Sequence, residues 1–286
     1  MPLAVQLRPC YVGGVTDSFS DCIGRETTRQ DTIAARLVAQ WRATLAPFLF
    51  EAHNAAPPCI HWCVAPALPA QRDLGPDGAE ARGVFLPPIP LPRRMWAGGL
   101  IEFFAPIEIG SDLTRRSVIS DIKWREGRGG ELCLVSVSHE LTDARQLLLR
   151  ERQDLVFRES APPKPKAIAP DVAARLTWTV DLNSTLLFRF SALTFNAHRI
   201  HFDHPYAVDV EGYSGLVVHG PLQAALLLNQ AACLLGAVPR RFEYRCVAPL
   251  IAGQHAKVES WNTADAVSGR IRTAEGVATI EATATP

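Results

Sequence analysis

Paired cysteines, an excess of either charge and a long unbroken apolar run are all missing from these 286 residues, and each absence narrows what the chain can be. The seven cysteines (Cys10, Cys22, Cys59, Cys63, Cys133, Cys233, Cys246) are odd in number and scattered, with no Cys-x-x-Cys pair. They indicate neither a disulfide framework nor a zinc site, and a reducing cytoplasm fits best. Lys plus Arg and Asp plus Glu both total 29, so no basic field exists for a nucleic-acid partner. The most apolar stretch, Leu216 to Val238, is interrupted by His219, Gly220, Pro221, Gln223, Asn229 and Gln230. It therefore predicts a buried helix rather than a membrane span. Met1 to Gln6 lacks a basic region followed by an apolar one, and no secretory signal is expected.

What is present is enough apolar side chain for a sizeable core, 48% of residues against 20% charged. A chain of this length tends to divide into two compact domains. Residues 161–170 (APPKPKAIAP) are proline-rich with no apolar period and read as the linker, giving halves 1–160 and 171–286. The halves share a pattern: Ala105-Pro106-Ile107-x-x-Gly110 and Ala248-Pro249-Leu250-x-x-Gly253, 143 residues apart. Each copy is followed by β-rich stretches, 116–124 and 132–139 in the first, 256–261 and 277–282 in the second, separated by glycine-containing turns. A short match can arise by chance, but matched position and context favour duplication. Ahead of the second meander, Gly220 to Leu235 is apolar nearly all round, which predicts an enclosed helix with Pro221 in its first turn. Thr32 to Leu45 predicts an ordinary helix, whereas the stretch after His61-Trp62 is broken by Pro66 and Pro69 and should hold only a short or distorted one.

The densest cluster of polar side chains is Thr194-Phe195-Asn196-Ala197-His198-Arg199-Ile200-His201-Phe202-Asp203-His204, with three of the eight histidines. Neutral imidazoles ligate zinc, but no acidic or cysteine partner stands at metal spacing, so no metal is expected; surface histidines in a loop remain an alternative. The second constellation is Gly212 to Pro221, which ends in His219-Gly220-Pro221 and leads into the enclosed helix. Glycine before a helix allows close approach to a ligand, and first-turn N–H groups favour negative charge, such as a thioester oxygen becoming an enolate. A strand-to-helix turn with no role is the plainer alternative.

Together the two constellations resemble the MaoC-like hydratases and dehydratases, whose pattern is Asp-x-Asn-Pro-x-His with a later His-Gly. Aligned on His201-Phe202-Asp203, the family histidine is His201, while Asn196 stands at its aspartate and His198 at its asparagine. The runs Phe190 to His201, Glu211 to Leu222, Phe85 to Gly99 and Gln153 to Arg158 resemble the itaconyl-CoA and mesaconyl-CoA hydratases and the mitochondrial-type 3-hydroxyacyl-thioester dehydratases. The resemblance implies an α+β double hot-dog fold, two fused sheets each wrapped around a helix, with the catalytic half second. It implies hydration of an α,β-unsaturated acyl-CoA, mesaconyl-C4-CoA or itaconyl-CoA to citramalyl-CoA in itaconate degradation. His201 is the expected base, Asn196 and His198 its companions, and His219 with Gly220 the thioester-oxygen site. A buried substrate carboxylate, or the phosphates of coenzyme A, would call for arginine, and Arg93, Arg94 and Arg199 are the candidates. No cofactor beyond the substrate's own coenzyme A is expected, and the chain can act as a monomeric double hot-dog or a homodimer. The other classes are a lipid-type dehydratase and a non-catalytic acyl-CoA-binding double hot-dog.

Overall fold

A computed structural model describes residues 19–52, 55–127, 130–159 and 168–286. Cys10, the N-terminal residues, Arg128 and Gly129 of the first meander's turn, and 161–167 of the expected linker lie outside them. Among the described residues the strands are β1 (Glu26–Thr32), β2 (Arg93–Phe103), β3 (Asp112–Gly127), β4 (Gly130–Thr142), β5 (Leu147–Arg158), β6 (Leu176–Thr179), β7 (Arg241–Cys246), β8 (Ala256–Asn262), β9 (Val267–Thr273) and β10 (Ala278–Thr285). They form one antiparallel sheet in the order β1-β3-β4-β5-β2-β7-β10-β9-β8-β6. The helices are α1 (Ala35–Leu45), α2 (Ser184–Thr194) and α3 (Gly220–Leu235).

That order reads as five strands and their mirror image, and the duplicated motif locates the symmetry. Leu100 of β2 pairs with Glu243 of β7, the residue 143 positions later, and Gly98↔Arg245 is matched by Glu102↔Arg241. A local two-fold therefore passes through the Leu100–Glu243 pair. The backbone bonds agree. Ala56 N–H donates to Ile107 O (2.9 Å) as Val218 N–H donates to Leu250 O (2.8 Å), and Gly110 N–H reaches Ile33 O (2.9 Å) as Gly253 N–H reaches Leu182 O (3.1 Å). Both glycines have positive φ, +92° and +81°, which is why the motif ends in glycine. Helices α1 and α2, each 11 residues long, each start two residues after the carbonyl so reached.

The symmetry breaks at the central helix. In the second half α3 lies against the sheet, seated on small residues: Gly269 of β9 and the buried Ala282 and Ala284 of β10. A Cβ on Gly269 would stand 3.0 Å from Leu227 of α3. The strand registers place His139, Glu151 and Gln153 at the equivalent points of the first half. Those larger polar side chains, all buried, meet Trp62, His61 and Arg115: Trp62 Nε1 donates to Glu151 Oε1 (2.7 Å), Gln153 Nε2 donates to the same oxygen (3.0 Å), and Arg115 lies 3.9 Å from Oε2. The α+β double hot-dog stands, and the first half's central element is the short, distorted one expected near His61-Trp62 rather than a full helix. Only a 3₁₀ turn, Ile60–Cys63, follows Pro57-Pro58, and prolines at a helix entrance remove donors while Pro66 and Pro69 block continuation.

Helix α1 begins at Ala35 rather than Thr32, because Thr32 belongs to β1 and its hydroxyl donates to Asp112 (2.6 Å). The main core joins α1, α2 and α3 through Trp41, Leu187, Phe190, Leu222 and Leu226 to the inner faces of both half-sheets. No helix among the described residues is long and apolar enough to cross a membrane.

Candidate active site

The histidine loop is set by how α2 ends. Asn183 caps its start, accepting Leu186 N–H (3.0 Å), and Phe195 ends it in the left-handed region (φ 51°) with Asn196 N–H returned to Ser191 O (2.9 Å). This reversal throws the chain across the head of α3. The Asn196 side chain accepts His198 N–H (3.0 Å), an Asx turn that leads into the 3₁₀ turn Arg199–His201. Val217 then staples the loop down: its N–H donates to Ile200 O (2.9 Å), and its carbonyl accepts Nδ1–H of His201 (2.7 Å).

A carbonyl only accepts, so His201 carries its hydrogen on Nδ1 and a lone pair on Nε2. The ring is buried, and that burial pushes the imidazole down to about 4 against the opposing pull of the Val217 carbonyl. Near neutral pH the group is an uncharged base. The His219 ring lies flat against it, centroids 3.6 Å apart and planes 20° apart, and His198 stands edge-on at 5.5 Å. His219 is fully buried with Nε2 at 2.8 Å from Ser191 Oγ, and Nε2 of His198 is buried without a hydrogen-bond partner. Both stay well below the ordinary histidine range, first through burial and then through their histidine neighbours, with Arg94 and Arg82 adding at His198.

His219 is also the N-cap of α3, so Gly220, Pro221 and Leu222 are its first-turn residues. Pro221 has no N–H, which leaves the Gly220 and Leu222 N–H groups as first-turn donors at a helix end whose dipole favours negative charge. Gly220 packs where the halves meet: an added Cβ would stand 3.1 Å from Cys246 Sγ of its own half and 3.4 Å from the Trp96 side chain of the other. In the first half the two-fold equivalents of His219 and Gly220 are Pro57 and Pro58, and nine residues separate α1 from Ala55 where 22 separate α2 from Val217. Pro58 thus has no N–H where Gly220 has one, Ile60 at the place of Leu222 turns its N–H to Pro57 O (3.4 Å), and the described residues of the first half hold no histidine loop.

The three arginines are otherwise engaged. Arg93 approaches Glu211 (3.7 Å) and donates to its carbonyl, Arg94 pairs with Asp77 (2.9 Å), and Arg199 pairs with Asp203 (2.8 Å) while lying over Tyr206. Arg199 also donates to Pro76 O (3.1 Å), and its N–H to Asp77 O (2.8 Å). Their arrangement buttresses the histidine loop against residues 76–78 of the first half. Asn196 is likewise used by the loop, its side-chain oxygen accepting His198 N–H while its amide nitrogen carries no bond of the loop. His204 is exposed and apart from the stacked rings, and among the described residues no cluster of three or more His, Cys, Asp or Glu is arranged for a metal. A groove of about 830 Å³ across the junction of the half-sheets has none of the histidines in its wall. Ser191, Val217 and the Asp77-Gly78 turn escaped the sequence reading: Ser191 sits in an apolar helix, Val217 acts through its backbone, and Asp77 meets the loop through its carbonyl and, by way of Arg94, a carboxylate 17 residues from its partner.

A neutral imidazole base beside backbone donors at a helix head, on a double hot-dog, defines a hydro-lyase that adds water to, or removes it from, an acyl thioester. Residues 59–252 match the model of hydroxyacyl-thioester dehydratase type 2, and the chain belongs to that family. It is 43% identical over 233 residues, 80% of this chain and 83% of the relative, to the mesaconyl-C(4)-CoA hydratase of Chloroflexus aurantiacus. Among solved structures, HtdX of Mycobacterium tuberculosis superposes with a TM-score of 0.68 at 16% identity, covering 90% of this chain and 98% of that one. A second protein of that organism, described as a double hotdog, superposes at 0.54 with 16% identity over 92% of this chain and 96% of its own.

Proposed function

We propose that this protein hydrates mesaconyl-C4-CoA to citramalyl-CoA, a step of itaconate degradation carried out in the cytoplasm. The observation that carries the chemistry is the His201–Val217 bond, which puts the hydrogen on Nδ1 and leaves the His201 lone pair on Nε2. Nε2 takes a proton from water as the oxygen attacks the β-carbon, and the electron pair of the double bond moves to the thioester oxygen, held by the Gly220 and Leu222 N–H groups. The imidazolium then returns the proton to the α-carbon. Mesaconyl-C4-CoA carries a free carboxylate on the attacked carbon, and His198, edge-on to the base with an unpartnered nitrogen, is the side chain suited to receive it. The 43% identity to the Chloroflexus hydratase supports the substrate. The Asn196 amide nitrogen can contact the water or the substrate, and Arg94, which influences His198, is better placed than Arg93 or Arg199 to add positive charge.

The test compares turnover of mesaconyl-C4-CoA and crotonyl-CoA by the wild type and by His201→Ala. The expected result is a preference for the dicarboxylic thioester and a loss of about 10²–10⁴-fold in the variant. A preference for crotonyl-CoA would overturn the substrate and favour the lipid-type dehydratase. Near-normal turnover by His201→Ala would overturn the base, and no turnover of either thioester by the wild type would leave the acyl-CoA-binding class.

A further inference from the structure

His219 enters the chemistry above only through the backbone that follows it, yet its side chain is one of the most constrained in the molecule. The ring is fully buried, stacked at 3.6 Å on His201, flanked by Phe190 at 5.0 Å and joined through Nε2 to Ser191 Oγ at 2.8 Å, while Nδ1 has no partner. A buried imidazole with an orphan nitrogen costs stability, and an apolar ring would fill the same space without that cost. A histidine at this place therefore asks for a role.

We propose that Ser191 and His219 are positioning residues for His201: Ser191 locks the His219 ring, and that ring fixes the plane of the base and keeps it the only imidazole of the group that takes a proton. The proposal rests on the reading of His201 as base. Val217 holds His201 at Nδ1 alone, which leaves the ring free to turn about that bond; a flat ring at 3.6 Å removes the turn. When water gives up its proton, positive charge develops on His201 over the face of a neutral ring, an attractive arrangement. A protonated His219 would instead repel it, and nothing around His219 favours its charged form. It faces His201 and His198 from the loop, Phe190 and Ser191 from α2, and no carboxylate, while Arg94 and Arg82 stand beyond His198.

The test uses the whole protein with Ser191→Ala and Ser191→Thr, following kcat and KM for the preferred thioester against pH. Ser191→Ala should lower kcat about tenfold or more with KM within about a factor of two, as misorientation of a catalytic group does. The acid limb of kcat/KM should also move up by about one pH unit, because a loosened stack admits water and lets the His201 pKa rise. Ser191→Thr keeps the hydroxyl and should restore both. A Ser191→Ala protein with wild-type kcat and an unmoved acid limb overturns the proposal, as does failure of Ser191→Thr to rescue while folded by circular dichroism. Should Ser191→Ala fold poorly, His219→Ala and His219→Phe provide the second reading: a fall in kcat of about tenfold or more in His219→Ala that His219→Phe largely restores supports the stack, and a wild-type kcat in a folded His219→Ala refutes it. Retained turnover in His201→Ala would instead indict the base itself, so the two failures are distinguishable.

Discussion

Lowering the pH from 7 to 5 protonates ordinary histidines, whose pKa is near 6.5, but finds several here that the fold holds neutral. Burial keeps His201 down to about 4, and burial with the Arg115 charge keeps His139 down to about 3. A histidine whose folded pKa is lowered binds its proton more readily in the unfolded chain. Stability is therefore complete above about pH 6.5 and declines as pH falls toward the folded pKa. At about 1.4 kcal/mol per pH unit, going to pH 5 costs about 2 kcal/mol for each of these two rings, about 4 kcal/mol together. His198 and His219, also held low, add in the same direction. Glu151 does not offset this. Burial alone would raise it, but His61, His139 and Arg115 hold its pKa at about 2, so its contribution is lost only below the ordinary glutamate range. Since a whole domain is stable by only about 5–15 kcal/mol, the loss is large. Urea unfolding at pH 7.5, 6 and 5, at fixed ionic strength and read by circular dichroism, should show a midpoint that falls steeply below pH 6.5. A midpoint unchanged between pH 7.5 and 5 would refute the claim that these rings are buried and neutral.

Two further perturbations test the parts that position the site. Gly78 has φ +82°, and an added Cβ would collide with the Ala197 carbonyl in the histidine loop; Gly78→Ala should cut kcat/KM by about 10²-fold with a much smaller fall in melting temperature, and an unaffected kcat/KM would show that the loop does not need its buttress. Glu151 is the shared acceptor of Trp62 and Gln153 and the counter-ion of Arg115. Glu151→Gln should cost about 3–5 kcal/mol in urea unfolding, as removal of one partner from a buried pair does, and a change under about 1 kcal/mol would mean the cluster is solvated in solution.

How far the sequence spoke depended on whether a feature was local. Helix α3 was legible to the residue, Gly220–Leu235, because Pro221 marks its first turn and its surface is apolar nearly all round. The duplicated motif pointed to a two-fold that the sheet order then displayed, since glycine with positive φ is a backbone requirement written in a single letter. His201 was reachable only by resemblance to a family. The arginines could not be read: the partners of Arg94 and Arg93 stand 17 and 118 residues away, and no local pattern says which carboxylate a cation will meet. The missing first-half helix was half legible, in the prolines that forbid it. The side chains that replace it were not, because Glu151 and His139 look like the solvent-facing residues of an alternating strand until the register turns them inward.

The two halves diverged by exchanging roles, and the differences are coupled. Placing Pro57-Pro58 where the second half has His219-Gly220 removes the donor equivalent to Gly220 and leaves the Ile60 N–H turned to Pro57 O, while a nine-residue connection in place of 22 is too short for a histidine loop of that length. Without a helix to cover it, the inner sheet face gained His139, Glu151 and Gln153, whose bulk excludes a helix from returning. The same half then became the support of the other site: Asp77 and Gly78 brace the histidine loop, and Trp96 packs where Gly220 begins α3. The described residues therefore hold one histidine loop at one helix head, braced by the other half.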